Sequence, residues 1–88
     1  MDEFAIRRRM DLGSRAKSVL ETDLVMSLFD ELEDELVEAW KDSDIKENEQ
    51  RERLYLSVAV IREVTMRLDA LAKDGDIAAE DMEREFSE

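Results

Sequence analysis

The groups in this chain that could carry chemistry are carboxylates and guanidiniums, because its 88 residues include no histidine and no cysteine. That absence removes imidazole acid–base catalysis, thiolate nucleophiles, disulfide scaffolds and Cys/His metal sites. Carboxylate–metal chemistry and anion binding by arginine are left. The run Asp30-Glu31-Leu32-Glu33-Asp34-Glu35-Leu36-Val37-Glu38 holds six carboxylates in nine residues, with Glu35 and Glu38 one helical turn apart. Such a pair holds a divalent cation when a second pair faces it. Glu63 is followed three positions on by Met66, so the second pair is incomplete. The expectation is a solvated acidic face made of Asp30, Glu31, Asp34, Glu35 and Glu38. Lys73-Asp74-Gly75-Asp76-Ile77 has the centre of a calcium loop, but alignment on Gly75 puts Ala70 and Ala72 where the first and third oxygen ligands belong.

The cations suggest contacts rather than a pocket. Arg51, Arg62 and Arg67 have acidic companions nearby at 47, 63 and 69, and no cation falls on an apolar stripe. Arg7, Arg8 and Arg9, followed by Arg15 and Lys17, form a small basic contact segment without interleaved aromatics. Two uses suit it: a match to the negative end of its own helix, or pairing with an acidic segment of a neighbouring subunit. A formal net charge of −12 opposes phosphate binding, so direct nucleic-acid binding is not expected. No catalytic residue, metal site or cofactor is expected, and the chain reads as a non-enzyme.

The supporting elements follow from composition. Charged and hydrophobic residues each make up 43%, with no proline and two glycines, which indicates one all-α domain over 1–88. A basic N-terminal helix is expected over 1–13, with Gly13 as its stop. The acidic stretch 14–42 is either one helix or two, with Thr22 and Asp23 available as caps. Within it Val25, Leu28, Phe29, Leu32, Leu36 and Trp40 recur at threes and fours as one apolar stripe. Asp44 and Glu47 have capping-box spacing before a long helix over 46–74. Its stripe is Leu54, Val58, Ile61, Val64, Leu68 and Leu71, and Gly75 should end it. An acidic helix or tail over 76–88 completes the chain. The fold class is therefore an antiparallel helical hairpin with short N- and C-terminal helices, expected to pack as an oligomeric helical bundle. Charge is divided along it: residues 1–20, 21–44, 45–73 and 74–88 carry +2, −9, +1 and −6.

One segment asks for a partner. Residues 54–61, Leu-Tyr-Leu-Ser-Val-Ala-Val-Ile, are apolar almost all round the helix, and such a helix is buried on every side. Leu56 and Val60 would face away from the hairpin seam. Either the N-terminal helix covers them or a second copy does. The interface candidates are Leu54, Tyr55, Leu56, Val60 and Trp40, with Tyr55 expected near Trp40. No apolar run approaches the ~20 residues of a membrane span, so no membrane partner is expected.

Ala39-Trp40, Asp44, Arg51-Glu52-Arg53-Leu54-Tyr55 and an apolar helix ending at Asp74-Gly75 together resemble short helical proteins encoded in tailed-phage and prophage genomes. The likeness covers roughly residues 19–77 and leaves out the basic start and acidic tail. It implies an assembly role, a virion or host protein as partner, and a place in the host cytoplasm or the virion. It brings no catalytic motif. The alternative function is an acidic inhibitor whose 30–38 carboxylates imitate nucleic-acid phosphates.

Overall fold

The structure, a computed structural model, describes residues 2–86. Those residues form three helices and no strand: α1 (Glu3–Leu20), α2 (Asp23–Asp42) and α3 (Asn48–Phe86). The all-α expectation holds, but the helix boundaries differ from the reading above. The basic helix does not stop at Gly13, and there is no separate C-terminal helix, because α3 runs through Gly75 to Phe86. Residues 1, 87 and 88 of the expected 1–13 and 76–88 segments lie outside the described residues.

The 14–42 stretch divides at Glu21–Thr22. Thr22 is extended (φ −82°, ψ 98°), and its hydroxyl donates backwards to the Ser18 carbonyl at 2.7 Å. The side chain expected to cap α2 therefore helps to close α1. The start of α1 is capped from outside, where the Asp2 carboxylate accepts the Phe4 N–H at 3.0 Å. Asp44 likewise caps a turn and not α3: its carboxylate accepts the Lys46 N–H at 2.9 Å, and α3 begins only at Asn48.

Neither glycine has positive φ, so neither acts as the left-handed helix stop that its position suggested. Their role is packing. A Cβ added to Gly13 would lie 2.5 Å from the Gly75 Cα and 2.9 Å from the Leu71 carbonyl oxygen; one added to Gly75 would lie 2.7 Å from the Gly13 Cα. The helices meet backbone to backbone, an approach that side chains elsewhere prevent. Small neighbours extend the seam, with Ala16 on α1 and Ala72 and Ala78 on α3 buried, and Ile6 filling the far end. Gly13 faces Gly75, while Arg9, one turn before Gly13, reaches Asp81, more than one turn after Gly75, so α1 runs antiparallel to α3.

α2 takes the other half of α3. Glu33 pairs with Arg62 at 2.6 Å and the Arg51 guanidinium reaches Ser43, so α2 is antiparallel to α3 as well. α1 and α2 thus follow one another along a helix of 39 residues, about 58 Å long. α3 is about twice as long as α2 and overhangs it at its C-terminal end, and α1 covers that overhang. The result is elongated, with Cα extents of 65 × 25 × 14 Å and a radius of gyration of 18.5 Å, against about 12 Å for a compact chain of this length. Among the described residues no second layer lies over the α2–α3 pair.

Substituting Gly13 with alanine tests the seam by its sign. At an exposed helical site the change stabilises by about 1 kcal/mol, whereas forcing a methyl against rigid backbone costs about 1–3 kcal/mol, occasionally more. We expect net destabilisation of about 1–2 kcal/mol on thermal or urea unfolding; a gain in stability would show that the helices do not meet there.

Candidate functional site

The α2–α3 seam is shallow. α2 has no buried residue, and on α3 only Val58 is buried in the half facing it. Val25, Phe29, Leu36, Leu54 and Ile61 are half-buried along the seam, while Leu28, Leu32 and Trp40, read as core from their spacing, stay exposed. One helix laid on one helix covers only a narrow strip, and α2 is apolar over a wider arc than that strip.

The five expected interface residues do not form a single patch. Leu54 sits in the seam. Trp40 and Tyr55 line a groove on one face with Val37, Ala59 and Met66, so their expected proximity holds. Leu56 and Val60, 53% and 61% exposed, line a groove on the opposite face with Leu32, Leu36 and Ile61. α1 does not cover them, because the glycine contact holds it on the other half of α3. Met66, Leu28 and Leu32 were missed as surface residues. The signal was present in the run Leu24-Leu28-Leu32-Leu36, spaced by fours beside the stripe that faces α3.

Arg51 also has a role that spacing did not show. Its Nη1 donates to the Trp40 carbonyl at 3.2 Å and the Ser43 hydroxyl at 2.8 Å, and its guanidinium carbon stands 4.6 Å from the Trp40 ring centroid. It satisfies carbonyls at the end of α2 and stacks on the indole, and so closes the loop end of the α2–α3 pair. Arg62 reaches across to Glu33 instead of Glu63, and Arg67 takes Glu63 instead of Asp69.

The basic segment is divided among three roles. Arg7 pairs with Glu3 one turn back, and Arg8 makes no ion pair among the described residues. Arg9 crosses to α3, where Nε and Nη2 donate to the two Asp74 carboxylate oxygens at 3.0 and 2.8 Å, with Asp81 at 3.9 Å. Lys17 pairs with Asp76. Within one chain, then, Arg9 and Lys17 find acidic partners on α3. The hydrogen bonds from Arg9 hold the Asp74 carboxyl below its ordinary value, and Asp74 in turn raises Arg9.

Asp30, Glu31, Asp34 and Glu35 are exposed and make no ion pair among the described residues, while Glu38 meets Lys41 at 3.6 Å. No cluster of three or more carboxylates suited to a metal ion occurs among the described residues, and no helix there is long and apolar enough to cross a membrane. Comparison with protein-family models, with curated proteins and with solved structures finds no match to this chain.

A depressed Asp74 has a definite pH signature. Its contribution to stability is complete above the carboxyl's unfolded-state value and is lost as pH falls through the lower folded-state value. Acidification should therefore lower the melting temperature of the native chain more than that of Asp74→Asn, which is less stable at neutral pH. Parallel melting curves would contradict this role for the Arg9–Asp74 pair.

Proposed function

We propose that this chain is a non-enzymatic protein–protein interaction module that self-associates through the α3 segment 54–61. The observation that carries this reading is the pair of apolar lines, Leu28 and Leu32 on α2 and Leu56 and Val60 on α3, left open with no second layer among the described residues. Open leucine and valine rows of this kind on a small chain mark an interaction surface. Small helical chains commonly reach adequate stability by association. The likeness of residues 19–77 to short phage and prophage helical proteins favours an assembly role, with a virion or host protein as a further partner and the host cytoplasm or virion as its place. Sedimentation equilibrium over micromolar to millimolar concentration is the test. A mass of at least two chains is expected, and a monomer throughout would reject self-association.

A second reading is favoured by one observation, the exposed and unpaired array Asp30, Glu31, Asp34 and Glu35. An acidic array of this kind can occupy a basic groove of a host protein in place of nucleic acid, with rapid and salt-sensitive binding. On that reading, a host protein captured from lysate at low salt is released at high salt and is not captured by a variant reversed in charge at Asp30, Asp34 and Glu38. Capture indifferent to both changes would reject it.

A further inference from the structure

The α2–α3 pair presents two faces, and they differ in a way that selects one for self-association. On the first, Leu28, Leu32 and Leu36 of α2 and Leu56, Val60 and Val64 of α3 each recur every fourth residue, so two straight apolar rows flank a shallow groove. Leu28 is 55% exposed and Leu32 44%. The opposite face holds Trp40, Tyr55 and Met66, but the Glu33–Arg62 ion pair crosses it, and both residues line its grooves. Burying that face would desolvate an ion pair, whereas burying the first removes mainly aliphatic surface from water.

The exposed area is the size that a partner would account for. The chain exposes 6,942 Å², where a compact monomer of 10.3 kDa exposes about 5,400 Å². The excess of about 1,500 Å² exceeds the ~800 Å² that each partner contributes to a standard interface.

The charges bordering the leucine–valine face identify the partner. On α2 its outer edge is acidic, with Glu31, Glu35 and Asp42. On α3 the unpaired cation at its edge is Arg53, one turn before Ser57 on the Val60 side; Arg67, farther along the outer edge, is already paired with Glu63. Arg53 makes no ion pair or side-chain hydrogen bond among the described residues. A partner that fits must carry an apolar double row, with a cation to face the acidic edge of α2 and an acid to face Arg53. A second copy of this chain, turned over, has that arrangement.

Symmetry then chooses the orientation. A two-fold axis lying across the helices would stack α2 on α2 and bring Glu31 and Glu35 towards their own equivalents. A two-fold axis lying along the helices sets α2 of each copy against α3 of the other, antiparallel, and keeps every residue at its own height. Within the chain, Glu33 opposite Arg62 and Ser43 opposite Arg51 put Asp42 level with Arg53 and Glu31 within a turn of Arg67. The same levels hold between copies under this second axis, so the acidic edge of α2 at Asp42 meets the partner's unpaired Arg53.

We infer that the Leu28–Leu32 and Leu56–Val60 face binds a second copy of the chain in an isologous dimer, α2 against the partner's α3, with Asp42 of each copy beside the partner's Arg53. The inference rests on the self-association reading above and adds to it the face, the orientation and the charge pairs. It is tested by analytical ultracentrifugation of full-length chains, with helicity checked by circular dichroism. Val60→Glu should be monomeric, and Met66→Glu, on the other face, should associate like the native chain. Arg53→Glu and Asp42→Lys, which alter no buried side chain, should each weaken association by about tenfold or more. An equimolar mixture of the two should recover it, because every interchain contact in the mixed dimer is then between opposite charges.

Several results would overturn the inference. A native chain that stays monomeric rejects both this dimer and the reading on which it rests, and leaves the face to a foreign helix or a lipid surface. A native dimer that Met66→Glu disrupts and Val60→Glu does not would leave self-association standing and reject this face. Charge variants that associate normally, or a mixture that fails to recover, would reject the orientation.

Discussion

The close contact between Gly13 and Gly75 is the constraint from which the rest of the molecule follows. With a Cβ at either position less than 3 Å from the facing Cα, the two helices can meet this closely only because both residues lack one. The contact fixes α1 on the C-terminal half of α3, and α2, joined to α1 by a two-residue break, is carried onto the N-terminal half. Neither helix can lie over the other. A chain of this length that used α1 as a third layer over Leu56 and Val60 would be a compact bundle. Held by its glycines, it is an elongated molecule with one apolar face open.

Electrostatics reinforces the arrangement and limits what can cover it. Arg9, Lys17 and Arg62 each cross between helices to an acid, Asp74, Asp76 and Glu33 respectively, and so help to set the register of the α1–α3 and α2–α3 contacts. Using cations in this way leaves the outer surface of α2 with almost uncompensated carboxylates. Lys17–Asp76 is solvent-exposed and adds little to stability, while Arg9–Asp74 and Arg62–Glu33 are partly screened from solvent; all three disfavour wrong registers. The −12 charge disfavours indiscriminate sticking, so association is confined to surfaces where apolar rows outweigh like-charge repulsion or where basic residues stand beside them.

Helix type, the end of α2 at Asp42 and the approximate start of α3 were legible from the sequence, but the end of α3 was not, because it runs twelve residues past the expected stop to Phe86. The glycines were misread because their spacing from charged last-turn residues fits a helix stop, and a single sequence does not show that two glycines 62 positions apart meet. Thr22 had the right type for an N-cap and the right place for the break, yet its hydroxyl bonds back to Ser18, a choice set by the local backbone and not by residue type. The all-round apolar character of residues 54–61 pointed to a helix covered on every side, whereas α2 covers one strip of it and α1 lies elsewhere, so Leu56 and Val60 are exposed. It could not separate Tyr55 from Leu56, because only the position of α2 decides which of them falls on which face. Arg51 followed the same logic: its carboxylate neighbours in sequence suggested an ion pair, while the free carbonyls at the end of α2 took its donors.

On the proposed reading, one chain is an incomplete layer, stabilised when its open face is covered. A protein whose folded state depends on association has a melting temperature that depends on its own concentration. Thermal unfolding of the native chain, followed across a hundredfold range of concentration, measures this directly. The midpoint should rise by about 4 °C for each tenfold increase, and a midpoint independent of concentration would rule out stabilisation by association.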